Sequence, residues 1–233
     1  GYVFAILHLL THGFFKAGMF LGAGSVMHGM NDSVDMRRFG NLSGAMKITW
    51  ATFGLGWLAI LGVPPFSGFW SKDEILAGAW GQGTASGKAL WAVGLVTALL
   101  TAFYMSRQVF LTFFGKFRGT HEQEHHLHES PGVMVVPLVI LAVGAAFAGY
   151  AGKIPFTHFD WLGGFLSSVI VAIPGHEAHA AHHGIGLEAL LVGASIAAAA
   201  AGLGLAWWLW GRNLGTYSDA MLARRAPGLY RLV

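Results

Sequence analysis

GVPPFSGFWSKDEILAGAW, residues 62–80, decides the fold. It follows an apolar run from Ile48 to Val63. Two consecutive prolines, Pro64 and Pro65, remove two amide donors and push the residue before them out of helical geometry, so residues 46–80 do not read as one continuous helix. They read as two half-helices joined by an unwound centre. Non-helical backbone at membrane depth survives only where protein or a water-filled cavity satisfies it, and broken helices recur at the ion sites of transporters. The break is therefore a functional signal in itself.

The rest of the sequence says that this depth is a membrane's. Of 233 residues, 55% are hydrophobic and 11% charged, against about 25% charged in an ordinary soluble domain. Mean hydropathy is +0.56, and 34 Gly accompany nine Trp and seventeen Phe; glycine is more frequent in membrane helices than in soluble ones. The chain has no cysteine, which excludes a disulfide framework, thiolate metal sites, iron–sulfur ligation and a cysteine nucleophile. Redox chemistry is expected on another chain. A formal charge of +3 without a basic run is a poor nucleic-acid signal. The opening GYVFAILHLL lies inside an apolar run, with no initiator Met and no charged leader, and reads as part of a longer protein.

A bilayer core of about 30 Å needs roughly 20 apolar residues of helix. The expected fold is an all-α polytopic membrane bundle, a single transmembrane region over residues 1–233. About five crossings are expected, near 2–27, 46–80 (broken at Pro64/Pro65), 89–114, 133–152 and 185–210. WLGGFLSSVIVAI, residues 161–173, is too short to span and reads as an interfacial or packed segment. With 46–80 crossing once, Arg37, Arg38, Lys47, Lys116, Arg118, Arg212, Arg224, Arg225 and Arg231 share one face, while Lys88 and Lys153 lie on the other. That asymmetry places the loops at 29–45, 115–132 and 211–233 in the cytoplasm. Two full crossings or a re-entrant hairpin over 46–80 would nearly abolish it.

An ionisable residue within a span costs several kcal/mol and is a functional candidate by default. In HLLTHGFFK, residues 8–16, His8, His12 and Lys16 fall at i, i+4 and i+8. They drift only about 80° around a helix and extend over about 12 Å, forming one polar stripe. Histidine titrates near neutral pH and desolvation disfavours a charged lysine, so such a stripe can pass a proton through waters. The plainer reading is a set of interhelical hydrogen bonds with Lys16 snorkelling, but Lys16 lies near the span's midpoint, where snorkelling is hard. Thr11 and Ser25 read as interhelical hydrogen-bonding residues. After the break, Ser71 and Glu74 fit a capping box opening the second half-helix. Lys72 would then sit at that helix's positive end, with Asp73 beside it as a partner; a surface Lys72–Asp73–Glu74 cluster is the alternative.

HLLTHGFFKAGMFLGAGSVMH, DMRRFGNL, GVPPFSGFWSKDEILAGAW and TAFYMSRQVFLTFFG together resemble the L-subunit family of bacterial NADH-quinone oxidoreductase, respiratory complex I, whose mitochondrial counterpart is chain 5. The ordered match covers most of the chain, and SKDEILAGA has the look of bacterial members. The resemblance implies a proton-translocating antiporter-like subunit in which Lys16 is the central proton-carrying lysine, His8 and His12 link it along the membrane axis, and Lys72 is the exit lysine beside Asp73. The family has Ala where this chain has Gly13, small for small. It also implies a piece of the C-terminal half: the exit half-channel, without the uptake half that precedes it or the lateral helix that follows.

On the same resemblance, this chain holds no cofactor or metal; NADH, FMN, iron–sulfur clusters and quinone belong to partner subunits. Its expected partners are other complex I membrane subunits, especially the neighbouring antiporter-like one, and its place is the bacterial inner membrane. The alternative is the large subunit of a multisubunit Na+/H+ antiporter, which shares these motifs.

His121, Glu122 and His125 match H-E-x-x-H, whose zinc chemistry needs both histidines on one face of a stable helix with a third ligand nearby. In HEQEHHLHES, a charged connection without an apolar face, the motif reads as a solvated loop. HEAHAAHH, residues 176–183, is expected on the opposite side of the membrane. Trp207, Trp208 and Trp210 read as an interfacial aromatic belt.

Overall fold

The computed structural model describes residues 2–152, 161–167, 169 and 185–213, and every regular element among them is helical. In chain order these are α1 (Tyr2–Gly29), the short α2 (Leu42–Ala45), α3 (Lys47–Leu61), α4 (Ser67–Gly81), α5 (Ala85–Phe113), α6 (His121–His126), α7 (Gly132–Phe147), α8 (Trp161–Leu166) and α9 (Ile185–Leu209). Four stretches are long and apolar enough to cross a membrane: Tyr2–Gly29, Ala85–Phe113, Gly132–Ala151 and Gly186–Leu209. The half-helices α3 and α4 have 15 residues each, about 22 Å, each shorter than a bilayer core of about 30 Å. The chain is an all-helical, multi-pass membrane protein. Leu9, Phe20, Val93, Val133 and Phe147 stay exposed on its flanks, as fits a surface that faces lipid or neighbouring membrane helices.

The helix ends follow local chemistry. α5 begins at Ala85, earlier than Ala89, because the Thr84 hydroxyl accepts the Gly87 N–H at 3.1 Å and caps it ahead of Lys88. α3 ends on Gly62 at φ +72°; the Gly62 N–H bonds to Ala59 and the Val63 N–H to Leu58, the paired closure that left-handed glycine caps make. The start of α3 has no cap of its own. Glu129 supplies one from across the fold, accepting the N–H groups of Ile48 at 2.6 Å and Thr49 at 3.3 Å and the Thr49 hydroxyl at 2.6 Å. Thr49 in turn meets Ser25 at 2.9 Å, and Ser25 bonds to Ser130, so Ser25 joins three segments as an interhelical residue. At this end, Arg118 binds the carbonyls of Leu111 at 2.6 Å and Arg37 at 3.1 Å, tying the loops at 30–46 and 114–131 together.

Three sequence expectations are corrected. The Ser71–Glu74 capping box does not form: α4 starts at Ser67, with Phe66 as its N-cap, so Ser71 lies inside the helix, its hydroxyl taken by neighbours on α1. HEQEHH is helical, held by a Thr120–Gln123 capping box and by Gln123 Nε2 donating to the Met30 carbonyl at 3.3 Å; end chemistry replaces the missing apolar face. Trp207 and Trp208 are exposed as a belt requires, but Trp210 is buried against Phe103, with the Arg107 guanidinium 5.4 Å above its ring. Of residues 161–173, Trp161–Leu166 form α8 with Leu162 buried, a packed segment; HEAHAAHH and residues 214–233 lie outside the described residues.

Candidate functional site

The break in the membrane helix builds the site. Where α3 stops, its last carbonyls lose their intrahelical partners, and Lys72 Nζ donates to the Leu61 carbonyl at 3.1 Å. The amine thus sits at the negative end of the first half-helix, where a cation is favoured, and not at the positive start of the second. Two glycines let the pieces approach. A Cβ on Gly62 would lie 2.4 Å from Lys72 Nζ, and one on Gly68 would lie 2.0 Å from the Ala59 carbonyl.

Asp73 follows Lys72 but turns elsewhere. Its Oδ1 is 3.9 Å from Lys72 Nζ and accepts the Ser195 hydroxyl of α9 at 2.7 Å. Its Oδ2 is buried without a hydrogen-bond partner among the described residues. Asp73 thus links the half-helix to α9 through its short bond to Ser195, with only a weak contact to Lys72.

On α1, His8 Nδ1 pairs with the Ser71 hydroxyl at 2.8 Å; which atom donates depends on the ring's tautomer. Thr11 Oγ1 donates to the His8 carbonyl at 3.1 Å and lies 3.3 Å from Ser71 Oγ. Thr11 and Ser71 are fully buried, so a hydroxyl cluster anchors the histidine to the broken helix. The His12 ring is 6.0 Å from His8 and meets Phe15 edge-on at 5.3 Å. Lys16 Nζ stands 5.2 Å above the Phe20 ring.

These groups converge on one hollow. A cavity of about 440 Å³ between α1, α4 and α5 is lined by His8, His12, Lys16 and Lys72, facing Thr97, Thr101 and Tyr104. Four of the five residues singled out from sequence share it; Asp73 does not line it. A cavity of that size holds on the order of ten waters at ~30 Å³ each, and basic groups separated by water can exchange protons without touching.

Sequence reasoning missed Ser71 as the partner of His8, the Leu61 carbonyl and Ser195. Ser195 carried a readable signal, being the one hydroxyl in α9, which beyond Glu188 in its first turn is otherwise apolar. The Leu61 carbonyl carried none, since any residue there supplies the same oxygen. His121 and His125 meet edge-on with ring centroids 4.4 Å apart, yet among the described residues no three His, Cys, Asp or Glu side chains converge as metal ligands do.

Comparison with known proteins gives the arrangement relatives. Residues 1–101 match the NADH:quinone oxidoreductase/Mrp antiporter transmembrane family. NADH-quinone oxidoreductase subunit L of Mycobacterium tuberculosis is 52% identical over 162 residues, covering 70% of this chain and 25% of that protein. NAD(P)H-quinone oxidoreductase chain 5 of a Picosynechococcus species is 41% identical over 260 aligned positions, covering 100% of this chain and 37% of that protein. Subunit L of Rhodobacter capsulatus is 45% identical over 159 residues, 64% of this chain and 22% of that protein. The chain thus spans only 22–37% of the length of these three curated relatives, and the resemblance read from its motifs holds along most of its sequence.

Proposed function

We propose, from the membership of residues 1–101 in the NADH:quinone oxidoreductase/Mrp antiporter transmembrane family, that this chain works as the proton-translocating, antiporter-like membrane part of an NADH-quinone oxidoreductase. The observation that carries the reading is the shared hollow of His8, His12, Lys16 and Lys72 beside a broken helix. Lys16 holds a proton at mid-membrane, His12 and His8 relay it through water, and Lys72 passes it on from the Leu61 carbonyl. Asp73 is a positioning group, held by Ser195.

Electron transfer takes place on other subunits in this reading, with FMN, iron–sulfur clusters and quinone bound there; free energy released by quinone reduction reaches this chain as a change in the proton affinity of its lysines. The chain lies in a bacterial inner membrane beside a second antiporter-like subunit, with the loops at 29–45, 115–132 and 211–233 on the cytoplasmic side, as the cation asymmetry supports. The family description names a second activity, Mrp-type antiport, and Na+/H+ exchange is the competing reading. Purification of the full-length protein from its native membrane separates them. Co-purifying flavin and iron–sulfur subunits with NADH-driven proton uptake support the oxidoreductase; sodium-dependent exchange without NADH oxidation overturns it.

A further inference from the structure

The proton path uses Lys16 and Lys72 and leaves another cation of the membrane helices, Arg107 of α5, without a role. An arginine within a span is costly and is kept where it finds a counter-charge. Among the described residues no hydrogen bond or ion pair takes up its guanidinium. What it meets is the face of the Trp210 ring, at 5.4 Å. A ring against the flat face of a guanidinium leaves its N–H edge free, and that edge is the part that grips a phosphate or carboxylate in two-pronged fashion.

The packing of α5 against α9 places this group at a definite depth. The two backbones approach closely at Gly202, where a Cβ would lie 2.2 Å from the Leu99 carbonyl, and about two turns further along α9 the Trp210 ring reaches Phe103 and Arg107. Trp207 and Trp208, next to it, are exposed and mark the headgroup level, where amphipathic rings settle. Arg107 therefore lies near the depth of lipid phosphates. On its own helix it falls within about 20° of Leu100, and Leu100 and Val96 are both more than half exposed. From Arg107 to Val96 this apolar stripe runs about 16 Å, one leaflet of a core of about 30 Å. A cation with an apolar track one leaflet deep below it matches a phospholipid; a free anion or a protein carboxylate would leave the track unused. Arg212 stands in the turn Gly211–Asn213 just beyond Trp210, so a headgroup without an ammonium of its own suits this end of the bundle.

We propose that Arg107 and Trp210, at the lip between α5 and α9, hold the phosphate of an anionic glycerophospholipid whose acyl chain runs along Leu100 and Val96. The site stands whether or not Lys16 carries protons. The lipid neutralises Arg107 and, by touching both helices, fastens to α5 the helix whose Ser195 holds Asp73.

The test uses the full-length protein in its native complex, in phosphatidylcholine vesicles containing a little phosphatidylglycerol with a photoreactive acyl chain. Crosslinks mapped by peptide mass spectrometry are expected on residues 96–107, suppressed by excess unlabelled phosphatidylglycerol and not by phosphatidylcholine. Arg107→Gln is expected to cut this labelling about fivefold, the worth of one cation at an anionic surface. Arg107→Lys, charged but unable to fork, falls between, and Lys88→Gln at the other end of α5 labels as the wild type does. Equal labelling by a photoreactive phosphatidylcholine, or wild-type labelling in Arg107→Gln, overturns the site. So does a stripe that no lipid labels, which would make a carboxylate of a neighbouring protein the partner of Arg107. If Arg107→Gln does not assemble, competition in the wild-type complex decides: suppression by phosphatidylglycerol alone supports the site, and equal suppression by both lipids overturns it.

Discussion

Lys72 Nζ donates to the Leu61 carbonyl across 3.1 Å, bridging the two halves of the broken helix. A cation therefore closes the end of the first half-helix, and any proton leaving Lys72 weakens that closure. Because a charged amine makes the stronger bond to a carbonyl, charge state and helix geometry are coupled at the break.

Gly62 is where that coupling is most exposed to substitution. Its φ of +72° costs an L-residue about 1 kcal/mol, and a Cβ would press on the Lys72 amine at 2.4 Å. Gly62→Ala is expected to lower stability by about 1–2 kcal/mol and to slow proton translocation. Thermal unfolding in detergent and vesicle acidification measure the two effects; unchanged values for both contradict the closure.

Ser71→Ala removes the hydroxyl shared by His8 and Thr11. The histidine is left with an unmet polar atom at a cost of about 1–3 kcal/mol. Slower proton transfer at wild-type protein levels is expected, read as the initial rate of vesicle acidification.

Ser195→Ala strips Asp73 of its 2.7 Å donor, leaving a buried carboxylate whose other oxygen is already unpaired among the described residues. Its effect is expected to exceed that of Ser195→Thr, which keeps a hydroxyl. The comparison reads thermal stability and translocation rate side by side, and equal behaviour of the two variants argues against the link.

Glu129→Ala removes the cap that α3 borrows from the loop. A loss of about 1–2 kcal/mol is expected, with the translocation rate per assembled complex unchanged, because Glu129 touches none of the groups around the hollow. A fall in that specific rate would move Glu129 out of a purely structural role.

Much of this was legible in the sequence because membranes make strong demands. Apolar runs of fixed length gave the crossings, and consecutive prolines gave the break. The His8–His12–Lys16 stripe was readable because a helix's 3.6-residue period leaves no freedom about which side chains align. Ser71 was misread: S-x-x-E is a local pattern, while its hydroxyl was decided by α1 sixty residues away. Trp210 failed because proximity to a span end does not fix which way a ring turns.

The most direct test of the central claim is the number of protons translocated per NADH oxidised in vesicles carrying the intact complex with Lys16→Ala or Lys72→Ala. A clear fall in that ratio, with the complex still assembled, is the result expected from two lysines that carry protons around the shared hollow. An unchanged ratio in both variants would contradict it.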